Sequence, residues 1–167
     1  MGRVVTWAEA MELREQWRRE KKTVVWTNGC FDILHVGHAR NLHACKAQGD
    51  VLVVGLNSDA SVRTIKGPSR PVNGEADRAE LLAALADVDA VVIFDESTPE
   101  VSLARLQPDI HCKGEDYKPP HGKPIPEARV VESYGGRICF IPLVPGRSTT
   151  GTIEKLGVVR KRFPEAS

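Results

Sequence analysis

The sequence predicts an α/β protein, with a doubly wound, Rossmann-like sheet of five parallel strands between helices. Short apolar runs recur along the chain without the polar alternation of a half-exposed strand, which indicates strands that are buried on both faces. Stretches with helical patterns separate these runs, as expected when parallel strands are joined by crossover helices. The predicted strands are residues 24–27, 50–56, 90–94, 110–113 and 137–141.

The predicted helices follow from caps and apolar patterns. Thr6 and Glu9 form a capping-box pattern at the start of a helix over 7–20. Thr98 supplies an N-cap, with Pro99 at the first helical position. The remaining predicted helices cover residues 39–48, 75–86, 126–134 and 151–156. The third of these ends at a Gly-Gly pair.

Composition excludes several classes of protein. A chain of 167 residues is long enough for one domain with a proper core, and its formal net charge of +1 gives no field that favours nucleic acid as a partner. The four cysteines are scattered, which is typical of reduced thiols in a cytosolic protein. Neither a signal peptide nor an apolar run of membrane-spanning length is visible, so we expect a cytoplasmic protein without membrane contact.

We divide the chain into three parts. Residues 1–22 are expected to be a helical extension packed on the main domain, which covers 23–158, and residues 159–167 are a basic tail. Two loops, 66–74 and 117–126, are rich in glycine and proline, carry cations and exceed the length of a simple connector. Both are therefore candidates for lids or substrate loops.

The most informative stretch joins the first strand to the next helix. It passes through Asn28 and Gly29 and then through two histidines, His35 and His38, which bracket Gly37. A strand that enters a helix through a tight turn presents backbone N–H groups and a positive dipole end to an anion. The histidines add donors at that helix start, so we interpret the stretch as a phosphate site. The alternatives are a purely structural role for the histidines and a zinc site, for which Cys30 is the only soft ligand nearby and Asp32 could add an oxygen.

A second anion site is predicted near the end of the chain. Arg147 precedes three hydroxyl residues, Ser148, Thr149 and Thr150, at the start of the last helical pattern. An ordinary hydroxyl cap is the simpler interpretation of any one of them. An arginine, three hydroxyls and a helix N-terminus together favour an anion, and two anion sites at one sheet edge suit a triphosphate.

No nucleophile accompanies these cations. The sequence contains no G-x-S-x-G motif, no Walker A sequence and no G-x-G-x-x-G motif, whereas Lys66 and Arg70 add a candidate phosphate clamp. A phosphate oxygen that attacks the α-phosphate of a nucleoside triphosphate needs no strong base, because it is already ionised near neutral pH. It needs alignment and neutralisation of charge, which these residues can supply.

These motifs carry a family resemblance. The sequence His35-Val36-Gly37-His38, together with Ser148-Thr149-Thr150, resembles the HxGH signature of the cytidylyltransferase-like nucleotidyltransferase superfamily. Within that superfamily the chain is similar to the heptose-phosphate adenylyltransferases, which often form the C-terminal half of a bifunctional kinase–adenylyltransferase. The segments that carry this closer likeness are 27–35, 57–62, Lys66-Gly67, 70–73, Lys113-Gly114 and 116–118.

The resemblance implies a fold and a reaction. The strand order would be 3-2-1-4-5, and the enzyme would transfer AMP from ATP, with Mg²⁺, to D-glycero-D-manno-heptose 1-phosphate for lipopolysaccharide core synthesis. It would act on these small molecules as a homodimer, with no metal ligated by the protein itself. The length leaves no room for a kinase half, so we expect the stand-alone form, some members of which use GTP.

The resemblance also implies roles for individual residues. The catalytic residues would be His35, His38, Lys66 and Arg147. The nucleotide-binding residues would be Thr27, Asn28, Gly29, Phe31, Asp32, Gly37, Lys113, Ser148, Thr149 and Thr150. The residues that bind the sugar phosphate would be Asp32, Asn57, Asp59, Arg70, Asp116 and Tyr117.

Two departures from the family pattern concern substrate identity. Glu115 stands where members commonly have a second glycine, and the loop 117–126 is unusually rich in proline. The alternatives are a CTP-dependent cytidylyltransferase acting on glycerol 3-phosphate or a phospho-amino-alcohol, and a nucleotide-binding module without turnover. A zinc-binding structural domain is a further alternative.

Overall fold

Six parallel strands form one sheet in the computed structural model, which describes residues 2–143 and 151–153. In chain order the elements are β1 (Arg3–Val4), α1 (Trp7–Arg19), β2 (Val24–Gly29), α2 (Val36–Lys46), β3 (Val51–Asn57), α3 (Asp59–Lys66), α4 (Glu75–Ala83), β4 (Ala90–Phe94), α5 (Glu100–Leu106), β5 (Ile110–Gly114), α6 (Ala128–Ser133) and β6 (Arg137–Ile141). A 3-10 turn, Glu115–Tyr117, follows β5.

The strand order is β1-β4-β3-β2-β5-β6. The five predicted strands therefore lie in the expected order 3-2-1-4-5, and the α/β fold class is confirmed. The predicted number of strands is wrong by one, because β1 pairs with β4 in the register Arg3↔Ala90 and Val4↔Val91. A strand of two residues is too short to produce a recognisable apolar pattern.

One of the two predicted helix caps is present and the other is not. The capping box of α1 is present: Glu9 donates its backbone N–H to the Thr6 hydroxyl and accepts the Thr6 N–H at 2.7 Å. Helix α5 begins at Glu100 with Pro99 as N-cap, so Thr98 is not the cap. Helix α3 was not predicted, and it places Lys66 at a helix end, although we expected this lysine in a loop.

Side chains alternate between the two faces of the sheet, and each face has its own apolar core. On one face, Val25, Leu52 and Val91 pack with residues of α2 and α4, including Leu42 and Leu82. The opposite face packs against α1, α5 and α6 through Val24, Trp26, Val53, Trp17, Leu103 and Val131. The apolar runs lack polar alternation because both faces are covered.

All four cysteines are free thiols, with Cys45 and Cys112 buried. Within residues 2–143 and 151–153, none of the helices combines the length and apolar composition that crossing a bilayer requires.

The centre of the sheet contains a close contact between β2 and β3. The Trp26 ring is fully buried, and it lies against Gly55 so closely that a Cβ on this glycine would be 2.1 Å from Trp26 Cζ2. The neighbouring strand therefore requires glycine at position 55, and the tryptophan fills the space that a side chain would occupy.

We predict that Gly55→Ala lowers the free energy of unfolding by about 1–3 kcal/mol, the usual cost of overpacking a core. Urea denaturation measures this value. The same substitution in a Trp26→Phe background should cost less, because the smaller ring leaves room for the methyl group. An equal cost in both backgrounds would contradict the contact as the cause.

Candidate functional site

A cleft of about 870 Å³ opens at the carboxyl ends of the strands. It lies between the ends of β2 and β5, where the chain reverses its direction of winding, and ligands of doubly wound sheets bind at this position. The predicted site residues that line the cleft are Thr27, Asn28, Gly29, Phe31, Asp32, His35, Gly37, His38, Asn57, Lys66, Arg70, Lys113, Asp116 and Tyr117.

The two histidines form a stacked pair at the start of α2. His35 is the N-cap of this helix, and its Nδ1 accepts the backbone N–H of Gly37 at 3.1 Å. Nδ1 of His38 accepts the backbone N–H of His35 at 3.4 Å. The ring centroids are 3.9 Å apart, with an angle of 21° between the planes. The helix start therefore fixes both rings through its own backbone.

These contacts determine which ring nitrogen carries the proton. Because each Nδ1 accepts a hydrogen bond, the proton of each neutral ring lies on Nε2. Burial, with a smaller contribution from His35, lowers the pKa of His38 from 6.5 to about 4. Near neutral pH, His38 is consequently a neutral Nε2–H donor, suited to stabilising developing negative charge without moving a proton.

Asp32, in the turn after β2, holds the loop that precedes α4. Its buried carboxylate accepts hydrogen bonds from Arg70 Nε at 2.5 Å and from the backbone N–H of Val72 at 2.7 Å and of Asn73 at 3.1 Å. Burial opposes ionisation, but the hydrogen bonds from Arg70 and the backbone outweigh it and lower the pKa of Asp32. The carboxylate therefore holds residues 70–73 beside the cleft.

Arg78 on α4 connects the turn after β2 to two other segments. Its side chain is buried and donates to the backbone carbonyls of Cys30 at 2.6 Å, Asn57 at 2.9 Å and Asn73 at 3.0 Å. It also forms an ion pair of 2.7 Å with Asp59. One guanidinium thus joins the turns after β2 and β3 to the loop before α4.

The cations that line the cleft differ in whether their charge is compensated. Arg70 is paired with Asp32, and Lys113 is paired with Glu127 at 2.8 Å. The Lys66 side chain is exposed and forms no ion pair or hydrogen bond within the described part of the chain. Among these three side chains, Lys66 is the one available to neutralise a ligand's charge.

The end of β5 carries a second set of polar contacts. Lys113 lies 4.3 Å from the centroid of the Tyr117 ring, and Lys123 lies 5.2 Å from the same centroid. Asp116 forms an ion pair with Lys123. The loop over 117–126 is therefore linked to the cleft by charge and by one aromatic ring.

Three other predicted site residues line the cleft, but their side chains form hydrogen bonds within the fold. A fourth lies outside the cleft. Thr27 donates to the Cys112 carbonyl at 3.4 Å, and the Asn28 side chain accepts from Trp26 Nε1 at 3.3 Å. Asn57 is buried and donates to the Ser61 hydroxyl at 2.9 Å. Asp59 does not line the cleft, because its carboxylate is directed to Arg78.

Part of the prediction lies outside the described residues. Arg147, Ser148, Thr149 and Thr150 all fall in the interval 144–150, and the basic tail lies after residue 153. The predicted second anion site is therefore not located by the structure.

Two important residues were not predicted from the sequence. Arg78 precedes Leu82 by four residues, so a charged residue on the apolar stripe of α4 was a usable signal. Glu127, which contacts both His111 and Lys113, follows a proline-rich loop and gave no such signal. Within the described residues, no group of three or more His, Cys, Asp or Glu side chains is placed to hold a metal ion.

Comparison with known proteins identifies relatives of this chain. A family model described as cytidylyltransferase-like matches residues 26–138. The "Bifunctional protein HldE" of Syntrophotalea carbinolica is 54% identical over 145 residues, which are 87% of this chain and 29% of that protein. The same-named protein of Mesorhizobium japonicum is 54% identical over 149 residues, covering 89% of this chain and 29% of the relative. The chain thus spans about three tenths of the length of these curated relatives.

A solved structure also resembles the chain. The lipopolysaccharide core biosynthesis protein from Thermoplasma volcanium matches with a TM-score of 0.61 and 27% sequence identity. The alignment covers 74% of this chain and 97% of that one.

We predict that Arg78→Lys lowers the free energy of unfolding by about 2–4 kcal/mol, because one ammonium cannot replace all four contacts in a buried position. Urea denaturation provides the measurement. Arg63→Lys, an exposed arginine on α3, is the control and should change stability little. An equal loss for both variants would contradict the role of Arg78.

We also predict a pH dependence that arises from His38. Its pKa is about 4 in the folded chain and near 6.5 when unfolded, so the unfolded state binds more protons between these values. The free energy of unfolding should fall as the pH is lowered through this range, and His38→Asn should reduce that fall. Urea titrations at about pH 4.5 and about pH 7 measure the difference. His43→Asn, at an exposed imidazole, is the control; an unchanged pH dependence in His38→Asn would contradict the prediction.

Proposed function

The chain belongs to the cytidylyltransferase-like family, and we propose that it is a nucleotidyltransferase that transfers AMP from ATP to D-glycero-D-manno-heptose 1-phosphate. The observation that carries this proposal is the stacked pair of imidazoles at the start of α2, on the wall of a cleft at the switch point of the sheet. The products are ADP-heptose and pyrophosphate.

The reaction is a displacement at the α-phosphorus. An oxygen of the sugar phosphate forms a bond to this phosphorus, the bond to the oxygen that bridges the α- and β-phosphates breaks, and pyrophosphate leaves with that electron pair. The attacking oxygen is already ionised, so the enzyme needs no general base. Its task is to align the two substrates and to stabilise the additional charge of the transition state.

The residues of the cleft suit that task. The neutral Nε2–H groups of His35 and His38 would donate to phosphate oxygens, and the N-terminus of α2 adds backbone donors. Lys66 would neutralise phosphate charge, since its ammonium has no ion pair among the described residues. Arg147, Ser148 and Thr149 are proposed to hold the β- and γ-phosphates.

The choice of heptose phosphate is supported by similarity. The Thermoplasma volcanium protein is a lipopolysaccharide core biosynthesis protein, and the two HldE relatives are 54% identical to this chain. The segments around Asn28, Asn57 and Lys113 resemble the heptose-phosphate adenylyltransferases. GTP in place of ATP, or CTP with glycerol 3-phosphate, are the other outcomes that an assay distinguishes.

The proposal extends to cofactor, assembly and location. Mg²⁺ would enter with ATP as part of the co-substrate, because phosphate oxygens are ligands that it prefers. The protein would act in the cytoplasm as a homodimer, as the family resemblance implies. Residues 23–158 would form the catalytic domain, with residues 1–22 packed against it and 159–167 as a tail.

Pyrophosphate release tests the function. The protein is incubated with Mg²⁺, each of the four nucleoside triphosphates in turn, and a panel that contains heptose 1-phosphate, other sugar 1-phosphates and glycerol 3-phosphate. Release with ATP and heptose 1-phosphate, and with no other pair at a comparable rate, supports the proposal. Turnover of CTP with glycerol 3-phosphate, or no turnover at all, would overturn it.

We predict that Lys66→Ala lowers kcat by about 10²–10³-fold, the usual effect of removing one group that stabilises transition-state charge. The KM for the nucleotide should change much less, because the lysine lies at an exposed helix end and acts mainly as charge develops. Steady-state kinetics measure both constants. Arg63→Ala, on the same helix but outside the cleft lining, should leave them unchanged. Equal effects of the two substitutions would remove Lys66 from the mechanism.

A further inference from the structure

Glu127 is a buried carboxylate at the wall of the cleft that the proposed chemistry does not use. It is 1% exposed and lies immediately before α6, at the end of the proline-rich loop. Burial of an unpaired carboxylate is costly, so its partners explain why it is tolerated.

Both partners come from one face of β5. His111 and Lys113 are two residues apart on the strand, so their side chains point to the same side of the sheet. His111 Nε2 lies 3.1 Å and Lys113 Nζ 2.8 Å from the same oxygen, Oε1 of Glu127.

The side chains of Glu127, His111 and Lys113 together carry no net charge. Burial opposes ionisation of Glu127, but hydrogen bonds from His111 and Lys113 outweigh it and lower its pKa to about 2. Burial is also the main reason why the pKa of His111 is lowered, which keeps this imidazole neutral near pH 7. One carboxylate therefore compensates one ammonium, and the group as a whole is uncharged.

The ammonium is also fixed in position. The Lys113 side chain is 14% exposed, and it is held between the Glu127 carboxylate and the Tyr117 ring. Lys113, Glu127 and Tyr117 all line the cleft. Lys66 differs, because its ammonium is exposed and unpaired within the described residues.

We propose that Glu127 is a positioning residue that holds and neutralises Lys113, so that this end of the cleft takes an uncharged polar part of a substrate. The pair offers hydrogen-bond donors and acceptors with no net charge, which suits a sugar hydroxyl or the edge of a base and does not suit a phosphate group. This inference rests on the proposed function and deepens it, because it separates a phosphate end of the cleft, at Lys66 and the histidines, from an uncharged end at β5.

The test uses Glu127→Gln, which keeps the shape of the side chain and leaves the Lys113 charge uncompensated. We expect the KM for one of the two substrates to rise about tenfold, because the ammonium loses its fixed position. We also expect inorganic tripolyphosphate, measured by titration calorimetry, to bind about fivefold more tightly, because an additional positive charge acts on it. The substrate whose KM rises shows whether the sugar or the base is bound here.

The matched control is Glu20→Gln. Glu20 forms an ion pair of 2.7 Å with Lys22, but this pair is exposed and precedes β2, at the opposite edge of the sheet from the cleft. Neither KM nor tripolyphosphate affinity should change in this variant. If Glu127→Gln also leaves both quantities unchanged, the proposal is overturned.

A double variant tests the proposal even if Glu127→Gln does not fold. Lys113→Met combined with Glu127→Gln removes the pair without leaving a buried charge. We expect tripolyphosphate affinity equal to that of the wild type, together with the raised KM. A large loss of tripolyphosphate affinity would show that Lys113 binds phosphate, which overturns the proposal. Calorimetry does not depend on turnover, so absence of activity in the wild type would count against the proposed function alone.

Discussion

The candidate site depends on the contacts of one buried guanidinium. Arg78 donates to the carbonyls of Cys30, Asn57 and Asn73 and pairs with Asp59, so it ties together the turns that follow β2 and β3 and the loop before α4. Those segments carry the residues that surround the histidine turn. The planar, multidentate guanidinium suits this task because one side chain can donate to several carbonyls and pair with a carboxylate at the same time.

Most of the positively charged side chains in the described cleft lining are paired with carboxylates. Two of the three lysine and arginine side chains among the described lining residues are compensated by carboxylates, Arg70 by Asp32 and Lys113 by Glu127. The histidines contribute donors without charge, since both accept backbone N–H groups at Nδ1. Within the described lining, a triphosphate would meet oriented dipoles and the one uncompensated ammonium of Lys66. Such an arrangement would favour the charge that develops in the transition state over the charge of the bound substrate.

The sheet and the histidine turn could be predicted from the sequence because they depend on local patterns. Buried runs such as 51–57 identify parallel strands, and a strand followed by His35-Val36-Gly37-His38 identifies the turn. The missed features depend on contacts between distant residues. Strand β1 exists only through its pairing with β4, and the roles of Arg78 and Glu127 follow from partners up to 48 residues away. Position in the sequence also could not show that Asp59 turns toward Arg78 and away from the cleft.

The short strand β1 determines which strand lies exposed at one edge of the sheet. Its Arg3 N–H donates to the Asp89 carbonyl and Val5 donates to the Val91 carbonyl, which covers backbone groups that β4 would otherwise present at the rim of the sheet. Exposed strand rims recruit the strands of other molecules and seed aggregates. With β1 in place, the edge of the sheet is a strand of only two residues, and shortening the chain before Thr6 would expose the longer edge of β4 instead.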